Sequence, residues 1–341
     1  MWPFCKLIPA KTNFKFVRFA GFAAFLSIAA VSATFASILT AGFTQNPIAI
    51  YQATSGSPQQ KMDVIFSKSF NLGIDFKGGN SIELSAPATI DLEKVRASVL
   101  ALDLGDVQVQ GFSDDKHAEV RFETPTGREP AAVNTQLMEQ LKTVVPGITF
   151  ENVQVVGPKV SSELFTGGVL ALGLAILLML IYIWFRFEWQ FGLGAVMALF
   201  HDVILTLGIF SVFRIEFTLT IIAALLTIIG YSMNDTVVVF DRLRENLRKY
   251  KKMPLSQVID TSTNETLSRT IVTGMTALMA LTGLLVVGGE AMQGFSIAML
   301  FGIVIGTYSS VYVAAPAILL WGVNRGSMAQ EKPDRSEHAL P

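Results

Sequence analysis

The chain has 341 residues, of which 51% are hydrophobic and 16% charged, with a formal net charge of -1. Ordinary soluble chains carry about 25% charged residues, so the composition points to a membrane protein, and the near-zero charge excludes a strongly basic nucleic-acid binder. One cysteine, Cys5, excludes a disulfide framework within the chain. The sequence has no His/Cys cluster at metal-ligand spacing, no glycine-rich phosphate loop and no Gly-x-Ser-x-Gly elbow, so neither an enzyme nor a bound cofactor or metal is expected.

A basic N-terminal stretch, residues 1–16 with Lys6, Lys11 and Lys15, leads into a first apolar run at 17–43. The small residues Ser32 to Ala36 invite a signal-peptide reading. The apolar core of a signal peptide is only about 7–15 residues long, however, and this run is far longer. It is expected to remain as a membrane anchor.

Residues 44–162 form a long polar insertion. Asn-Pro, Ser-Gly and Ser-Pro pairs between 45 and 60 read as a flexible tether. Strands are expected at 70–76 and 81–84, either side of the Gly78-Gly79 turn. Leu92, Val95, Val99 and Leu102 recur at helical spacing, with Asp91 and Glu93 in the first turn and Gly105 past the end. Strands follow at 107–112 and 118–122 around Asp114-Asp115. A helix opens at Pro130, runs to Val144 and stops before Pro146-Gly147, and a last strand runs over 148–156. Two helices over one face of a small, mostly antiparallel sheet is the expected outcome, a split βαβ or ferredoxin-like α+β domain. His117 reads as a solvated turn residue with no partner to tune it.

Five more apolar runs follow at 165–185, 191–213, 217–240, 270–287 and 295–321, within a five-helix region at 163–322. The expected architecture is an α-helical integral membrane protein with six transmembrane helices and an α+β domain between the first two. Residues 241–268 read as a basic loop carrying Arg242, Arg244, Arg248, Lys249, Lys251 and Lys252, and 323–341 as a tail. Arg186 and the basic N-terminus fall on the same side, whereas the opposite turns hold only Arg214, Glu216 and Glu290. Positive charge in short loops marks the cytoplasmic side, so both termini are expected in the cytoplasm and the insertion outside. Trp184 and Trp189 suit an interfacial belt.

Within the fourth run one carboxylate, Asp235, interrupts otherwise apolar helix. A charge at membrane depth costs about 2.5–3.5 kcal/mol on insertion scales, and such residues normally face a bundle interior and have a function. Arg269 opens the fifth run, and Thr273 four residues later shares its helix face. The pattern admits a proton relay or a static buried pair. Desolvation often leaves such a pair no more stabilising than apolar residues, which favours the relay. His201 and Asp202 form a second polar pair in the third run; they either line the same water path or satisfy backbone or a partner. Gly302-x-x-x-Gly306 is foremost a helix-packing signal.

Several segments carry a family resemblance. Gly73-Ile74-Asp75-Phe76-Lys77-Gly78-Gly79 opens the insertion, and Val156 to Leu164 leads into the second run. Phe185-Arg186-Phe187-Glu188-Trp189 and Ala198 to Val203 belong to the third. Gly230 to Asn246 and Asn264 to Thr270 frame the fourth and fifth, and Gly302 to Ser310 lies in the sixth. In this order, the chain resembles the SecF family, the smaller partners of SecD in the bacterial Sec accessory complex, within the RND group of ion-driven membrane proteins. The resemblance implies an RND-type half bundle and a role in exporting unfolded preproteins across the inner membrane at the expense of the proton motive force. It implies SecD and the SecYEG channel as partners, with YajC and YidC as further associates. It places the relay at Asp235, Arg269 and Thr273, and marks Gly73, Asp75, Gly78 and Gly79 as the external-domain motif; Asn234, Ser268, His201 and Asp202 are candidate supporting polar residues by their own position in the spans. An autonomous RND-type exporter and a static scaffold of the channel stand as alternatives.

Overall fold

A computed structural model describes residues 12–40, 43, 46, 51, 68–104, 107–112, 115–122, 128–289 and 292–323. The tether, the tail, Cys5, Gly105, Asp114 and Glu290 lie outside the described residues or almost wholly so. The chain divides into two units, one of Phe70–Leu172 with Ile215–Ile222, the other of the remaining chain.

Helix α1 spans Phe16–Leu39. Its burial pattern inverts that of a soluble protein: Ser27, Thr34 and Ser37 are buried, while Phe22 and Phe25 are each 69% exposed. Small and hydroxylated residues face helices, and large apolar ones face lipid, because lipid offers no hydrophobic drive for burying them against protein.

The unit inserted after α1 begins with a two-residue strand β1 (Asn71–Leu72) and a single helical turn α2 (Ile74–Lys77). Then come β2 (Gly79–Ser85), α3 (Leu92–Leu100), β3 (Val107–Gly111), β4 (His117–Phe122), α4 (Pro130–Val144) and β5 (Thr149–Val156). The sheet order is β3-β4-β2-β5, with every neighbouring pair antiparallel, so the βαββαβ layout of the ferredoxin-like arrangement is realised. Asp91 caps α3 by accepting from the Lys94 amide at 3.2 Å. Ile82, Leu84, Val120, Val95, Leu137 and Leu141 are essentially inaccessible and form the core between sheet and helices.

Two expectations are corrected here. Residues 70–76 are not a strand of this sheet: β1 pairs in parallel with β6 (Glu216–Phe217), in register Asn71↔Glu216 and Leu72↔Phe217, and the chain then turns helical. His117 is no turn residue. It opens β4, packs its ring on Phe112 and lies 3.5 Å from the Glu151 carboxylate.

The remaining helices are α5 (Pro158–Arg186), α6 (Trp189–Phe213), α7 (Leu219–Lys249), α8 (Leu255–Val287) and a sixth span made of α9 (Gln293–Ser309), a π-helical turn (Ser310–Ala314) and α10 (Ala315–Trp321). With α1, six helices among the described residues are long and apolar enough to cross a membrane. Their hydrophobic stretches are 61% buried in α6 and 50% in α7 and in the sixth span, but only 6% in α5 and 11% in α8. The first three therefore make the bundle interior. The expected loop at 241–268 is helical except at 250–254, because α7 and α8 both continue past their apolar runs. Arg242 bonds Glu265 at 2.7 Å across this hairpin, and Asn246 reaches Ser262 and Glu265. Asp260 and Asn264 of α8 accept from the Val17 and Phe14 amides, both at 2.9 Å. They satisfy donors at the start of α1 that the helix itself cannot.

Candidate functional site

Close helix contact at small residues creates the polar interior. A Cβ on Gly302 would lie 2.5 Å from Ile228, and one on Gly306 3.0 Å from the Ser232 Cβ. The sixth span thus packs backbone-close on α7, as the glycine spacing predicts. A Cβ on Gly194 would meet the Ala314 carbonyl at 2.7 Å, which draws α6 onto the π turn. That turn opens at Ser310, the second of two adjacent serines, and π turns inside helices are frequent at functional sites.

Asp202 of α6 is 1% exposed and sits between these elements. Its Oδ2 accepts hydrogen bonds from Ser232 of α7 at 2.5 Å and Ser309 of α9 at 2.7 Å. Its Oδ1 lies 2.9 Å from His201 Nδ1, and His201 Nε2 lies 3.1 Å from the Ser27 hydroxyl on α1. Among the described residues, the His201 and Asp202 side chains bond other side chains and not helix backbone. They are the hub of four helices.

Asp235 lies one turn along α7 from Ser232 and is half-buried. Its Oδ1 accepts from the buried Thr270 hydroxyl at 2.5 Å, while Oδ2 is buried with no hydrogen-bond partner among the described residues. Ser310 and Arg269 act on the carboxyl from nearby. Thr236, next along α7, shares a hydrogen bond of 2.9 Å with Ser310. The expected direct pairing with Arg269 is not formed among the described residues. Arg269 is on the exposed side of α8, and Thr273 spends its hydroxyl on the Arg269 and Thr270 carbonyls of its own helix. Asn234 and Ser268 are also exposed. Helical geometry explains the substitution: the residue next to Arg269 points about 100° round the helix, and that residue, Thr270, is the one turned toward Asp235. Thr270, Ser232, Ser309 and Ser27 do not stand out in the sequence, because hydroxyls are common in membrane helices. The signal available was their alignment, with Ser309-Ser310 adjacent and Thr270 beside the charged position.

In the inserted unit, the glycine motif holds the turn before α7. A Cβ on Gly73 would lie 2.7 Å from Glu216 Oε1. Gly78 and Gly79 have φ of 76° and 129°, in the region L side chains rarely adopt. Gly73 donates its amide to the Phe217 carbonyl at 3.0 Å. Asp75 accepts from the Leu219 amide at 2.9 Å, which caps the start of α7. Arg121 of β4 pairs with both Glu119 and Glu216. Burial pushes the Glu216 carboxyl above its usual range despite the opposing Arg121 charge. Desolvation works against the Arg121 charge, but its two carboxylate partners outweigh it and hold the guanidinium more firmly protonated.

Fold and site define a class: a multi-pass membrane protein with a ferredoxin-like insertion after its first span and buried carboxylates in its bundle. Comparison with known proteins is specific. The family described as "Protein export membrane protein SecD/SecF, C-terminal" matches residues 136–324, and the "SecD/SecF GG Motif" matches 64–86. A protein translocase subunit SecF of Cereibacter sphaeroides is 50% identical over 278 residues, which cover 79% of this chain and 86% of that one. The SecF of Rhodobacter capsulatus is 44% identical over 97% of this chain and 95% of its own. The crystal structure of SecDF from Thermus thermophilus matches with a TM-score of 0.73 at 29% identity, covering 94% of this chain and 40% of that one. The chain belongs to the SecF family of protein translocase subunits and is a multi-pass inner membrane protein.

Proposed function

We propose that the chain is an accessory subunit of the Sec protein translocase that joins a SecD-type partner and the SecYEG channel and drives export of unfolded preproteins with the proton motive force. It carries out no covalent chemistry; its work is mechanical. The observation that carries this reading is the construction of α7. One continuous helix is capped at its first residue by Asp75 of the glycine motif and carries Asp235, bonded to Thr270, along its length. A proton arriving at or leaving Asp235 changes the hydrogen bonding between α7 and α8, and α7 begins in the segment that pairs with β1 of the insertion.

The energy is of a suitable size. One charge moving through 100 mV releases about 2.3 kcal/mol, which shifts a two-state equilibrium roughly 50-fold at about 1.4 kcal/mol per tenfold. That suffices to bias a moving domain and is too little to unfold a stable one. The exposed faces of α5 and α8, the latter bearing Arg269, suit contact with a SecD-type chain. YajC and YidC are further associates in this reading. The concentration of Lys and Arg at Arg186 and 242–252 supports cytoplasmic termini and an insertion on the far side.

The test uses inverted vesicles containing the translocase, with an imposed proton gradient and a preprotein client. Asp235→Asn should abolish the gradient-dependent part of export while co-purification with the partner persists. Full stimulation by the variant would sink the relay.

A further inference from the structure

We propose that His201 and Asp202 form a second proton-holding site, separate from Asp235, and that loss of its proton breaks a hydrogen-bonded chain joining the first span to the sixth. The supply of hydroxyl protons along this chain fixes where the hydrogens sit. Tyr308 donates its only hydroxyl proton to the Ala23 carbonyl at 2.8 Å. The Ser27 hydroxyl lies 3.0 Å from the Tyr308 oxygen, and since that oxygen has no proton left, Ser27 is the donor there. Ser27 has then spent its own single proton. The 3.1 Å contact between Ser27 Oγ and His201 Nε2 is therefore a bond only if Nε2 carries the hydrogen.

The other ring nitrogen settles the rest. Between Nδ1 and Asp202 Oδ1, 2.9 Å apart, one further proton is needed, on the ring as imidazolium or on the carboxyl. Either way the pair holds two protons and is neutral overall. The serine hydroxyls of Ser232 and Ser309 donate to the far oxygen of Asp202. The ring also stacks on Tyr308, with centroids 5.9 Å apart.

Removing one proton to solvent leaves a net negative charge at a site where His201 is 6% and Asp202 1% exposed. It also leaves one contact unbonded. With the remaining ring proton on Nε2, Nδ1 and Oδ1 oppose lone pair to lone pair; with it on Nδ1, Ser27 must turn to Nε2 and release Tyr308. The second arrangement removes the Ser27–Tyr308 bond and leaves α1 tied to Tyr308 through the Ala23 carbonyl alone. Among the described residues, the ionisable groups in the spanning parts of the elements packed here are few: Tyr308 and Tyr312 in the sixth span, Tyr231 and Asp235 in α7, Arg269 on α8, whose Asp260 and Glu265 lie beyond its apolar run, and Arg18 at the exposed start of α1. None is an alternative partner that bonds the pair.

The test is nitrogen-15 magnetic resonance of histidine-labelled full chain in lipid vesicles at neutral pH, with His201 assigned by its loss in His201→Gln. Native protein should show a protonated Nε2. Tyr308→Phe frees the Ser27 proton and should move His201 toward a bare Nε2, with the fold retained because the ring remains. Spin labels on α1 and the sixth span should report a distance change across a pH series in native protein and none in His201→Gln. A bare Nε2 in native protein, an unchanged ring in Tyr308→Phe, or a distance that ignores pH would each overturn the proposal. These readouts need no translocation, so they stand or fall apart from the export reading.

Discussion

Thr270 donates to Asp235 at 2.5 Å, whereas its chain neighbour Arg269 faces out of the bundle. The carboxylate is thus held within this chain by a neutral hydroxyl, and the cation sits where another molecule or lipid meets α8. A hydroxyl is a partner that can stay bonded in either protonation state of Asp235, as donor or as acceptor.

Thr270→Val keeps the shape and removes the donor. A hydrogen bond to a charged group contributes about 1.5–3 kcal/mol, so gradient-driven export should fall roughly tenfold or more, with expression and partner binding intact. Thr270→Ser should restore most of it. The measurement is export rate in vesicles with and without an imposed gradient.

Asp75 is the cap of α7. Asp75→Ala should destabilise the chain by about 1 kcal/mol, the usual cost of losing a side-chain cap, and Asp75→Asn by less because the amide oxygen still accepts. Thermal unfolding in detergent reports both, and hydrogen exchange at the Leu219 amide locates the loss.

Glu216 supplies a pH dependence. Burial holds its folded carboxyl above the ordinary value, so the folded chain binds this proton more readily than the unfolded one. Its contribution is fully present below the unfolded value, about pH 4.3, and is lost as pH rises through the higher folded value. Glu216→Gln should flatten the fall of melting temperature across this mildly acidic window. Arg121 keeps Glu119 as a partner, so the variant leaves no orphan cation. An unchanged pH profile would assign the dependence to another group.

Asn246 is 1% exposed and bonds Ser262 at 3.0 Å and Glu265 at 2.6 Å. Asn246→Ala should cost about 1–3 kcal/mol. It should open the hairpin where α7 and α8 leave their apolar runs, read as faster proteolysis between 250 and 254. The apolar spans should stay protected.

Much of this protein follows from residue order. The six spans and the βαββαβ insertion derive from patterns that act locally, namely run length against bilayer thickness and periods of two and 3.6, and the cost of a charge in lipid singles out Asp235 as a candidate. The Gly78-Gly79 turn is of this kind, since positive φ is a property of single residues. Tertiary structure alone decided partners. Whether Asp235 meets Arg269 or Thr270 depends on the rotation of α8 about its axis. Whether 71–72 pairs in the sheet or with 216–217 depends on chain ends 145 positions apart along the sequence. The gathering of Ser27, Ser232 and Ser309 around His201 and Asp202 depends on glycines that let three helices approach, and a hydroxyl in lipid-exposed helix reads the same in sequence as one that bonds a buried polar pair.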